Sequence, residues 1–136
     1  MKRVLLAALL VFIPSVSWSE EPVRHEWTQS GMNESAEVDL KKAESKMADL
    51  LRRLHLKAKG YPEAIKKLEA AQKAWANYRD LQIQALWPNT EHMHYGSVHP
   101  MCVMNMKATL TEARNKELES MLSTPEGDAC LPFWPQ

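Results

Sequence analysis

The chain has 136 residues, with 17 Lys or Arg against 17 Asp or Glu and a formal net charge of +0. That balance gives no electrostatic case for nucleic acid or an anionic membrane as a partner, because such binding draws on a large excess of basic residues. The length suits one domain with a modest core.

At the amino end, Met1-Lys2-Arg3 precedes an apolar run over residues 4–13, followed by Pro14 and the small residues Ser17 and Ser19. Positive residues, a short apolar stretch and small residues, in that order, make up a signal peptide. A membrane-spanning helix needs roughly twenty apolar residues, so the run is too short to be one. No Cys follows it to carry a lipid anchor. Residues 1–19 are therefore expected to be a removable signal, and residues 20–136 a single helical domain, periplasmic or secreted and without a membrane attachment. Without Lys2 and Arg3 the balance becomes 15 basic against 17 acidic residues.

Residues 20–26 read as a polar lead-in. A first helix is predicted over about 31–59, where Ala36, Leu40, Ala43, Met47, Leu50 and Leu54 recur at steps of 3 or 4 and make one face. Gly60-Tyr61-Pro62 ends it, with Gly at the C-terminal cap and Pro opening the next helix. The second helix spans about 62–86, with a stripe of Ile65, Leu68, Gln72, Trp75, Arg79, Gln82 or Ile83, and Leu86, stopped by Trp87-Pro88-Asn89. Gln72 and Arg79 occupy slots that the spacing reserves for apolar residues. After a loop rich in His and Met, a third helix spans about 101–122. Met104, Ala108, Thr111, Leu118 and Met121 or Leu122 face inward, while Glu112, Arg114, Lys116 and Glu117 form a solvated face. The fold class is all-α, a three-helix, up-down-up bundle. Cys102 and Cys130 are an even pair in an exported domain, so a disulfide is expected to staple the Pro-rich C-terminal tail onto it.

Gln72, Trp75 and Arg79 share one helical face, at i, i+3 and i+7. An Arg there can stack on the Trp and needs a partner for its charge, since an unpaired buried charge costs several kcal/mol. Asn33 and Glu34, near the start of the first helix, are the expected partners. This set reads foremost as a core Trp with a polar network that fixes helix register.

Met32-Asn33-Glu34-Ser35-Ala36, then Ala71 to Asp80 (Ala-Gln-Lys-Ala-Trp-Ala-Asn-Tyr-Arg-Asp), Tyr95-Gly96-Ser97 and Leu110-Thr111-Glu112-Ala113-Arg114 occur in that order. Together they resemble the domain named after the LprI lysozyme inhibitor, a family of small secreted or periplasmic helical proteins. The resemblance covers roughly residues 27–122, and Gln72, Trp75, Arg79 and Asp80, with Asn33, belong to its motif. It implies helices and, for the named member, inhibition of lysozyme. The family pattern has cysteines where this chain has Ser35, Ile83 and Met106, and another near Trp27. Their joint loss leaves the Cys102–Cys130 pair as a private replacement.

A second constellation lies in residues 92–106, where His92, His94 and His99 accompany Met93, Met101, Met104, Met106 and Cys102. Imidazole and soft sulfur donors suit copper or zinc, and His92, His94, His99, Met101 and Met104 would be the ligands. No fixed ligand spacing accompanies them, and the favoured reading is core plus exposed loop, with no cofactor. Ser97 and His99 lack the third group and oxyanion hole of a nucleophilic site, so no enzyme is expected. The leading expectation is a binding protein that occludes a lysozyme through His94, Tyr95, Ser97 and His99. A metal-handling protein is the alternative, as is an envelope-interaction module that binds a protein partner through the Trp75/Arg79 face.

Overall fold

A computed structural model describes residues 28–91, 94–123 and 135. The expected signal peptide and lead-in, His92 and Cys130 lie outside the described residues. Helix α1 spans Gln29–Lys57, α2 Pro62–Leu86 and α3 His99–Leu122, and among the described residues there is no strand.

The helix ends follow local chemistry. Thr28 sits in extended backbone, and its hydroxyl accepts from the Gly31 amide at 3.1 Å, which caps α1. Gly60 takes φ +101 in the turn to α2, a conformation open to a residue without a Cβ. Pro62 then opens α2, where its missing N–H costs nothing. Pro100 does the same in the first turn of α3.

Two crossing contacts fix the direction of each helix. Asn115 donates to the Ala43 carbonyl at 2.9 Å, and Lys46 meets Glu119 at 2.8 Å, so α1 and α3 run parallel. Gln72 reaches Met47 at 3.2 Å and Arg79 reaches Glu44 at 3.1 Å, so α2 runs antiparallel to α1. This is the up-down-up bundle expected from the sequence.

α1 and α3 approach most closely. Their seam is built on small side chains, with Ala36 and Ala43 on α1 and Ala108 on α3, all buried. α2 stands farther off, over the longer Met47, Gln72 and Arg79. The main core cluster lies toward the C-terminal ends of α1 and α3, where Leu50, Leu54, Ala58, Leu68 and Leu118 come together and Met121 and Leu122 flank them. Asn115 is buried in the heptad-like run 108, 111, 115, 118, a polar residue that ties one helix to the other's backbone.

Three expectations need correction. Cys102 is a free, half-buried thiol, so the structure does not support the disulfide staple, and Cys130 lies outside the described residues. Arg114 does not belong to the solvated face: its side chain is 14% exposed and reaches across to Gln72 on α2. Leu86 is exposed, since α2 ends where its neighbours no longer cover it.

Candidate functional site

Two polar arrangements stand out, one inside the bundle and one at its end. Inside, the guanidinium of Arg79 donates to Glu44 Oε1 at 3.1 Å and to Thr111 Oγ1 at 3.3 Å, joining all three helices. It lies 5.3 Å from the Trp75 ring centroid, within cation–π range. Asp80 is 3.5 Å away on the outer side. The Thr111 hydroxyl itself donates to the Lys107 carbonyl at 2.8 Å. Nearby, Arg114 donates to Gln72 Oε1 at 3.3 Å and to Glu117 at 2.7 Å.

The expected partners of Arg79 were Asn33 and Glu34, and this is a correction. Asn33 instead accepts from Gln29 at 2.9 Å, one turn away in α1. The hairpin turn at Gly60 sets Arg79 opposite the turn of α1 that holds Glu44, about three turns from Asn33. Because Arg79 is only 15% exposed and spent on bundle contacts, it offers little to an outside partner. Arg79→Ala is expected to cost about 1.5–3 kcal/mol, the range for hydrogen bonds to charged groups. Arg79→Lys should recover less than half of it, since an ammonium cannot serve Glu44 and Thr111 with a rigid fork. Urea unfolding of the three proteins measures this, and full recovery by Lys would refute the geometric reading.

The second arrangement is the α2–α3 connection. Asn89 Oδ1 accepts from the Glu91 amide at 2.8 Å, and the Asn89 amide donates to the Tyr95 hydroxyl at 2.9 Å. Gly96 takes φ +73, and the His99 amide donates back to its carbonyl at 3.3 Å. The rings then form a chain. Trp87 meets His99 edge-on at 5.5 Å, His99 lies 4.8 Å from Tyr95, and Tyr95 lies 4.8 Å from His94. A cleft of about 440 Å³ opens beside them, lined by Asn89, Glu91, His94, Tyr95, Gly96 and His99 among others.

The structure thus brings His94, Tyr95 and His99 together but gives them different work. Tyr95 and His99 are half-buried, and the Tyr95 hydroxyl is engaged, so both hold the loop's shape. His99 Nε2 is enclosed and has no hydrogen-bond partner among the described residues. His94 and Ser97 are exposed and free to meet a partner. Asn89 and Glu91 line the cleft, and Trp87 backs His99; none was foreseen, since Trp87-Pro88-Asn89 reads in sequence only as a helix stop.

Among the described residues no three His, Cys, Asp or Glu side chains gather as metal ligands. Met101 and Met104 are half-buried at the start of α3, where they pack as apolar side chains do. Lys41 donates to Glu37, and that hydrogen bond together with the carboxylate's charge raises its pKa; it is on the exposed surface of α1 and plays no part in either arrangement.

The motif residues Gln72, Trp75 and Arg79 are therefore the joint between the helices. A family model described as lysozyme inhibitor LprI matches residues 22–118. The chain belongs to the LprI lysozyme inhibitor family. Neither a curated protein nor a solved structure matches it. In this LprI-family chain the match spans all of α1 and α2 and most of α3, and so covers both arrangements. No helix among the described residues is long and apolar enough to cross a membrane.

Proposed function

We propose that the protein is an exported inhibitor of lysozyme, not an enzyme, and that it acts by occluding the partner's cleft with the loop between α2 and α3. The family match carries the proposal, and the shape of the loop supports it. A glycosidase cleft holds two carboxylates and sugar subsites. His94 and Ser97 offer exposed donors for such a cleft, while Tyr95 and His99 serve as the scaffold beneath them. Export follows from residues 1–19, and cleavage after Ser19 would give a mature protein beginning at Glu20, which mass measurement of the secreted product reads.

The test is lysozyme turnover with the purified protein added. Inhibition that saturates near equimolar protein is expected, and unchanged turnover at large molar excess would overturn the proposal. His94→Ala should weaken inhibition roughly ten-fold, the effect of losing one good polar contact of about 1.4 kcal/mol. Tyr95→Phe removes the acceptor for the Asn89 amide and should weaken it too, by loosening the loop. If both variants inhibit like the parent protein, a different face makes the contact.

A further inference from the structure

At the opposite end of the bundle from that loop, an open groove of about 540 Å³ runs along α1 beside the start of α2. Its floor is apolar, formed by Leu51, Leu56 and Ile65. Leu51 and Ile65 rest on the main core cluster, so the floor is firmly seated. Leu56 is 61% exposed, a large apolar side chain that the bundle leaves uncovered. Arg52, His55 and Lys59 stand around this floor. His55 Nε2 lies 3.4 Å from Glu69 Oε1, across from α1 to α2 along one side, without a hydrogen bond between them. Lys59 has no ion-pair partner among the described residues.

The surroundings are basic on balance. Between Asp49 and Glu69 the chain carries six Lys or Arg against three carboxylates, although its overall charge is zero. An apolar floor with a cationic rim is complementary to a ligand with one apolar chain and one anionic head. The volume falls within the range of ligand pockets, roughly 300–1,000 Å³. A second protein would need more area than this one groove offers, since stable interfaces bury at least about 1,200 Å².

We propose that this groove binds a free single-chain anionic amphiphile, with its acyl chain along Leu51, Leu56 and Ile65 and its carboxylate or phosphate at Lys59 and Arg52. The site is independent of the lysozyme reading and lies at the other end of the molecule. Arg52 already pairs with Asp49 at 2.5 Å, so Lys59 is the first anchor for the head.

The probe is laurate, titrated calorimetrically into the purified protein below its micellar concentration, with dodecyl maltoside as the neutral counterpart of equal chain length. Laurate is expected to bind one per chain and at least roughly ten-fold more tightly than the maltoside, the equivalent of about 1.4 kcal/mol from the charged head. Leu56→Asp, at a position exposed enough to leave the fold intact, should weaken laurate binding roughly ten-fold or more. Lys59→Glu should erase the preference for laurate over the maltoside. Equal binding of both probes, unchanged laurate binding in Leu56→Asp, or binding only to anionic lipid vesicles would each overturn the proposal. Lysozyme inhibition measured on the same two variants should be unchanged, which keeps this test apart from that of the loop.

Discussion

Leu118→Ala is expected to destabilise the protein by about 2–5 kcal/mol, the range for large-to-small changes in a closed core. Leu118 is 0% exposed and sits in one cluster with Leu50, Leu54, Ala58 and Leu68. All three helices contribute to that cluster, so the void cannot close by moving one helix without opening another seam. For a domain of this size each kcal/mol lowers the melting temperature by several degrees, roughly 4–8 °C. Thermal unfolding followed by helical circular dichroism reads the shift. A loss below 1 kcal/mol would mean that α3 does not close the core as described.

Ala43→Leu should be nearly as damaging, for the opposite reason. The closest approach in the molecule is between α1 and α3, and Ala43 lies in that seam at 4% exposure. Its carbonyl also receives the Asn115 amide at 2.9 Å. Three added carbons would force the helices apart, costing about 1–3 kcal/mol, and weaken that hydrogen bond by about 1 kcal/mol more. A total near 2–4 kcal/mol is expected from urea unfolding. An unchanged midpoint would show that the seam has room to spare.

The helices and their directions were legible in the sequence because spacing and helix ends are local properties. Gly60 and Pro62 speak for themselves, and the stripe from Ala36 to Leu54 names the face of α1 that is buried or half-buried. The Thr28 cap and Pro100 in the first turn of α3 went unread, so α1 and α3 each begin two residues before the predicted start. Asn115 was missed although the run 108, 111, 115, 118 reserves a slot for it. A polar residue does not register as core when its partner is a backbone carbonyl 72 residues away. The partner of Arg79 was misplaced for a related reason. Asn33 and Glu34 were chosen for their place near the start of α1, whereas reflection about the Gly60 turn points to Glu44. The basic, apolar groove went unread because Leu51 and Leu56 fall between the two helical stripes and look incidental. In the loop, the cluster of His and Tyr was visible, but its division into support and exposed contact depends on ring distances that no spacing reveals.

The parallel seam between α1 and α3 bears on how the chain reaches its fold. Most small helical bundles fold quickly because neighbouring helices pair first, with little chain to order. Here the neighbours make the looser contacts, and the tight seam joins segments separated by 72 residues. Closing so long a loop costs chain entropy before any reward is returned. An isolated α1–α2 hairpin then gains too little to persist, and the last helix must arrive before the first is secured. The protein should therefore fold more slowly than its helical content implies, in a single step without a populated hairpin.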